Sequence, residues 1–208
     1  MLVKTLFLLL SILSAATDAF AQTTPVRDKK DRLAAQIEAY VNSIKTIKSG
    51  FYQVTQSGAS AQGRFYAKKP NKMRLDYDPP SPVEVVEDGY YLIFHDKKLE
   101  QVTYLGLDDN PASMLLKENF SFEKDGLLIE DATEENGLTM LTVSKKEASH
   151  LGKITLIFKT RPLTLKQWRV VDAQQNVTLV TLTDTEFDAP LEDKLFKFKD
   201  PYKKRPGD

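Results

Sequence analysis

The stretch from Gly63 to Tyr77 constrains this chain more than any other. Two short runs of strand-forming residues flank Lys69-Pro70-Asn71. Proline fixes its own φ and pushes the preceding residue into extended geometry, so the pair predicts strand, turn, strand. The second run alternates. Met73, Leu75 and Tyr77 share one face, and Lys72, Arg74 and Asp76 share the other. A sheet with one large apolar face has to set that face against something, and what covers it decides the function.

The first 21 residues have the grammar of a cleaved secretory leader. Lys4 supplies the positive start, and Leu6 to Leu13 is apolar but too short to span a bilayer. Ala19-Phe20-Ala21 gives the small-x-small cleavage pattern. The mature chain is expected to begin at Gln22 and to fold as a single domain, 22–208. The sequence has no cysteine, which rules out disulfides, thiolate metal sites and a lipid anchor on this chain itself. A soluble protein exported to a bacterial periplasm is the expectation. Lysine plus arginine equals aspartate plus glutamate at 29 each, which argues against a general nucleic-acid binder.

From about Asp28 to Lys48, apolar residues recur at helical spacing: Leu33, Ile37, Val41, Ile44 and Ile47. The period then changes to two. Strands are predicted near Phe51–Gln56, Gly63–Ala67, Lys72–Tyr77, Val83–Val86, Tyr90–His95 and Leu99–Tyr104, separated by tight turns. Asn110-Pro111 predicts a short apolar helix over Ala112–Lys117, with proline at its favoured first position. Further strands are predicted at Leu127–Glu130, Leu138–Val143, Lys153–Phe158, Leu163–Val171 and Val177–Phe187, with a last short one at Leu195–Lys199. The class is mainly β (α+β), an antiparallel meander of about eleven strands. A sheet of that size curls strongly or closes. Two helices cannot cover it as a sandwich would. Either the barrel closes and fills with side chains, or it stays open with helices across its mouth.

Catalytic signals are thin. His95 and His150 are far apart, and no motif with a mechanism surrounds either. There is no phosphate-binding glycine loop, nucleophile elbow or zinc-protease helix. A non-enzymatic protein without cofactor or metal is the expectation. The aggregate of strand-borne aromatic residues, few covering helices and an exported chain suits a cavity for an apolar ligand.

Several ordered pieces resemble the LolA family, the periplasmic carriers of outer-membrane lipoproteins. They are Gly50-Phe51-Tyr52-Gln53, Gly63-x-Phe65-Tyr66-x-Lys68-Lys69-Pro70-Asn71, Asp88-Gly89, Asp96 to Leu99 leading to Gln101, Pro111-x-x-Met114-Leu115-Leu116, and Phe196-x-Phe198-x-x-Pro201. Each is weak alone; their order and spacing carry the resemblance. The Met73-Arg74-Leu75-Asp76-Tyr77 run is most similar to alphaproteobacterial members. The resemblance implies an unclosed antiparallel barrel with helices as a lid over an apolar cavity. It implies a monomer that takes triacylated lipoproteins from an inner-membrane ABC transporter of the LolCDE type and passes them to an outer-membrane acceptor, LolB where one exists. A sensor or adaptor of the same fold, reading lipid or lipoprotein, is the alternative.

The cavity so implied is expected to be lined by Phe51, Phe65, Met73, Leu75, Tyr77, Ile93, Met114, Leu115, Leu156, Phe158 and Trp168. Strand parity supports Met73, Leu75 and Tyr77 best. The family often places an arginine before the turn proline, where it bonds the closed lid. This chain has Lys69, which lacks the planar fork. Two expectations for lid gating follow: Lys69 performs a weaker version of that contact, or Arg74 on the neighbouring strand has taken it over.

Overall fold

A computed structural model describes residues 25–107, 113 and 115–203, with backbone only for 25–28. The expected leader, most of the short helix opened by Asn110-Pro111, and Met114 lie outside the described residues.

Helix α1 covers Pro25–Ser43. Eleven strands follow: β1 Thr46–Thr55, β2 Ser60–Lys68, β3 Lys72–Tyr77, β4 Val83–Asp88, β5 Tyr91–Asp96, β6 Gln101–Gly106, β7 Leu127–Glu135, β8 Leu138–Lys145, β9 Gly152–Lys159, β10 Thr164–Asp172 and β11 Val177–Phe187. They form one antiparallel sheet in the order β6-β5-β4-β3-β2-β1-β11-β10-β9-β8-β7. Every two strands adjacent in the chain pair, except β6 and β7, and β1 joins the two halves by pairing with both β2 and β11. β6 and β7 are free edges, so the barrel is unclosed, the open form that the strand and helix counts allow. Among the described residues no helix is long and apolar enough to cross a membrane.

Helix α1 ends five residues before the periodicity suggests. Ser43 Oγ donates to the carbonyl of Tyr40 at 2.7 Å, and strand pairing begins at Thr46. Ile44 and Ile47 continue the helical spacing by coincidence. The β-branched pair Thr46 and Ile47 suits a pleated surface better than a helix. Gly50 lies inside β1 beside a bulge against β11. A Cβ there would collide with the Thr183 hydroxyl.

One face of the sheet is concave. The helix lays Leu33, Ala34 and Ile37 towards the interior, all buried. In the half of the sheet formed by β7 to β10, Ala34 and Ile37 pack with Phe120, Phe122, Leu141, Leu156 and Phe158. Asn42 Nδ2 donates to the Phe120 carbonyl at 2.7 Å, and the Phe122 amide donates to Glu38 Oε2 at 2.9 Å. These bonds fix α1 to the segment before β7. A second cluster joins Ile47, Phe51, Phe65, Ala67, Val180 and Leu182 across β1, β2 and β11.

The opposite face of β2 to β6 is covered by the end of the chain. The expected strand at Leu195–Lys199 is instead a 3-10 turn, Asp193–Phe196, followed by extended chain. It is tied down by side chains rather than by ladder bonds. Lys68 and Lys72 both reach Asp193, Arg74 Nη1 donates to the Leu195 carbonyl at 3.2 Å, and Tyr104 donates to Asp200 at 3.0 Å. His95 stacks edge-on with Phe198 and Tyr202.

Candidate apolar cavity beneath the helix

The concave face, α1 and the segment containing Leu115 and Leu116 enclose a cavity of about 380 Å³. Its wall follows from strand parity. On β3 the odd residues Met73, Leu75 and Tyr77 face inward, and Met73 and Leu75 stand opposite Ala67 and Phe65 of β2. The far wall comes from Leu156 and Phe158 of β9 and Trp168 of β10. The roof is Tyr40, Val41 and Ile44 with Leu115 and Leu116.

Of the residues expected to line a cavity, the structure brings Phe65, Met73, Leu75, Tyr77, Leu115, Leu156, Phe158 and Trp168 together around this one. Two others lie elsewhere. Phe51 is on the inner face but beneath the wall, with its ring edge-on to Tyr77 at 5.0 Å. It stands opposite Gly63, which has no side chain. Ile93 is on the other face. It pairs with Val86, which pairs with Arg74, so all three belong to the outer row. The inward residues of β5 are Leu92 and Phe94. Ile93 is nonetheless buried, which is why its apolar character misleads: the chain's end covers this part of the outer face.

Lys69 and Arg74 separate in the same way. Lys69 sits at the cavity rim, half-buried, and its Nζ donates to Asn42 Oδ1 of α1 at 3.4 Å. Burial lowers its pKa from the usual lysine range, opposed by the nearby Glu118 carboxylate. Arg74 points away from the cavity and binds Asp76, Glu84 and the Leu195 carbonyl. Among the described residues these bonds all lie on the outer face and none reaches the roof, because residues of even number on β3 face outward.

Several features are not legible from the pattern of residues. The Asn71 amide, at the tip of the Lys69-Pro70-Asn71 turn, donates to the Leu116 carbonyl at 2.9 Å. This main-chain bond ties the turn to the roof. Tyr40 accepts a hydrogen bond from the Leu165 amide at 3.0 Å and meets Phe158 edge-on at 5.6 Å. Burial raises its pKa, partly offset by that bond. In the wall, the Tyr77 hydroxyl donates to Gln53 Oε1 at 2.8 Å. Burial raises the Tyr77 pKa, again partly offset by its bond. A concave, mainly apolar space with a few paired polar groups suits a hydrophobic ligand. Among the described residues no group of three or more histidine, aspartate or glutamate side chains is placed to hold a metal ion.

Residues 42–199 match the family described as "Outer membrane lipoprotein carrier protein LolA". The outer-membrane lipoprotein carrier protein of Chromobacterium violaceum is 30% identical over 201 residues, covering 93% of this chain and 94% of that protein. That of Methylococcus capsulatus is 28% identical over 195 residues, covering 87% and 86%. Among solved structures, a DUF1329 family protein from Desulfovibrio piger superposes with a TM-score of 0.51 at 11% identity, covering 83% of this chain and 97% of that one. That likeness concerns the fold alone. The family match spans the helix end, all eleven strands and the first part of the outer-face segment, and the chain belongs to the LolA family.

Proposed function

We propose that this protein is a periplasmic carrier that shelters the acyl chains of lipoproteins on their way to the outer membrane. The cavity carries the reading: an apolar hollow of about 380 Å³ between a curved sheet and its roof. Each methylene kept from water is worth roughly 0.8 kcal/mol, so several long acyl chains do not leave a bilayer unaided. A carrier supplies an apolar surface in exchange. The names of the relatives support the same class of cargo.

In this reading residues 1–21 direct export and are removed. The donor is an inner-membrane ABC transporter of the LolCDE type, which supplies the energy. The acceptor is an outer-membrane protein of the LolB type that holds the chains more tightly. The carrier itself is a binding protein and turns nothing over. Phe65, Met73, Leu75, Tyr77, Leu115, Leu156, Phe158 and Trp168 form the lipid-contacting wall, and Lys69 braces the closed roof. The roof has to be close to balance between shut and open, or loading would be too weak.

The test is mass spectrometry of the protein purified from periplasm. Co-purified triacylated lipoprotein is the expected result. Leu75→Glu places a carboxylate on the wall, and this variant is expected to fold but to release its lipoprotein. Retention at the wild-type level would overturn the assignment.

A further inference from the structure

Glu87 is a carboxylic acid in the wrong place for an ordinary surface residue. It stands on β4 between Met73 and Leu92, its partners across the ladder, and both of those line the cavity. It is fully buried. Ser113, from the roof segment, is buried with it, and the Ser113 hydroxyl donates to Glu87 Oε2 at 2.8 Å. The other oxygen, Oε1, has no hydrogen-bond partner among the described residues. A buried, unpaired carboxylate is costly, and the usual escape is to hold a proton.

No cation among the described residues relieves it. Lys72 and Arg74, which flank Met73, point to the outer face, where Asp193 engages the first and Asp76 and Glu84 the second. Asp88, next on β4, adds repulsion. Leu92 on β5 is apolar. In the roof, Lys69 is turned towards Asn42 and Glu118, and Lys117 towards Asp125.

We propose that Glu87 and Ser113 form a proton-linked latch, which holds the roof on β4 while Glu87 carries its proton and gives that proton to water when the roof lifts. The idea rests on the carrier reading only in that the cavity must open to load. Burial, set against the Ser113 bond and reinforced by Asp88, raises the Glu87 pKa from 4.5 to about 7. An open roof hydrates the carboxyl and returns it towards its ordinary value. The closed form therefore binds the proton more tightly. Its advantage is complete below the ordinary value of 4.5 and is lost as pH rises through about 7. The largest change in the open-to-closed ratio is about two orders of magnitude. A latch that titrates near neutrality keeps the roof close to balance where loading and unloading occur.

Trp168 reports on opening without any ligand. It is the only tryptophan in the sequence and lines the cavity. Acrylamide quenching of its fluorescence is measured on the purified, delipidated protein from about pH 5.5 to about pH 8, the window in which this carboxyl changes charge. Quenching is expected to rise about tenfold or more across that range. Glu87→Gln keeps the shape without the charge and is expected to stay at the low-pH level throughout. Ser113→Ala removes the bond and is expected to raise quenching at low pH. A flat wild-type profile, or the same slope in Glu87→Gln, would overturn the latch. Should Glu87→Gln fail to fold, Ser113→Ala decides: unchanged quenching at low pH overturns the latch. Lipid retention is read separately, so a failed latch leaves the carrier proposal standing, and loss of the carrier proposal leaves the quenching slope intact.

Discussion

The rings of Phe65 and Trp168 meet at 5.2 Å, although their strands, β2 and β10, stand three places apart in the sheet. Neighbouring strands are about 4.8 Å apart, so a flat sheet would hold parallel side chains on these two strands about 14 Å from each other. The contact therefore measures curvature. The sheet rolls far enough for its inner faces to converge, and the hollow above that contact is what α1 and the roof close.

Phe65→Ala is accordingly expected to do two things. It removes a buried ring from the base of the hollow, at a cost of about 3 to 5 kcal/mol in unfolding free energy. It also uncovers one side of Trp168, whose emission is expected to move to longer wavelength in the folded protein. Denaturant unfolding followed by fluorescence reads both quantities. A native spectrum identical to the wild type would mean that the two rings do not share an environment.

Lys69 and Arg74 have the same charge and opposite surroundings, which makes them a matched comparison. Lys69→Met removes the contact with Asn42 at the rim. It is expected to increase entry of a neutral apolar dye into the delipidated cavity, with little loss of stability. Arg74→Met breaks bonds to Asp76, Glu84 and the Leu195 carbonyl on the outer face. It is expected to cost about 1 to 3 kcal/mol, because Glu84 is then left partly buried beside one fewer cation, while dye entry is unchanged. Dye titration beside thermal unfolding separates the two. An Arg74 variant with the Lys69 phenotype would place the gate on the wrong face.

The meander was legible because its turns are: Lys69-Pro70-Asn71, Asp88-Gly89 and Asn136-Gly137 each punctuate alternating runs. Strand β3 has the bounds that its alternation suggests, and its inward trio follows from period two. Legibility fails where that alternation does. Strands β4 and β5 bury residues on both faces, so Val85 and Val86, or Leu92 and Ile93, cannot be sorted by pattern. What buries the second face is the segment from Asp193 to Tyr202, held by ion pairs over more than 100 residues of sequence separation. Local sequence holds no signal for such contacts. The Asn71 to Leu116 bond is invisible for a different reason: it joins main-chain atoms and leaves no trace in residue identity.

Ile93 turns that ambiguity into a prediction. It is buried under the chain's end on the face away from the cavity. Ile93→Ala is expected to lower stability by about 2 to 4 kcal/mol. Lipoprotein retained per folded molecule is expected to stay at the wild-type level. Leu92→Ala, one residue earlier and facing inward, is expected to alter both. Equal loss of retention in the two variants would contradict the division of faces.

Asn42 is the joint between the helix, the turn and the segment before β7. Its Nδ2 donates to the Phe120 carbonyl at 2.7 Å, and its Oδ1 accepts from Lys69 Nζ at 3.4 Å. The first bond is short and partly buried; the second is long and exposed. Asn42→Ala is expected to cost about 1 to 2 kcal/mol, most of it from the Phe120 carbonyl left without its partner. The effect is local, because α1 packs chiefly on β7 and β8. Hydrogen exchange is expected to accelerate along α1 and near Phe120, while the amides of β3 to β5 keep their wild-type rates. That pattern would show that the roof loosens as a unit over an intact sheet, as a carrier that loads repeatedly requires. Acceleration spread evenly over the whole sheet would instead mean that helix and sheet unfold together, and that α1 is part of the core and not of a movable cover.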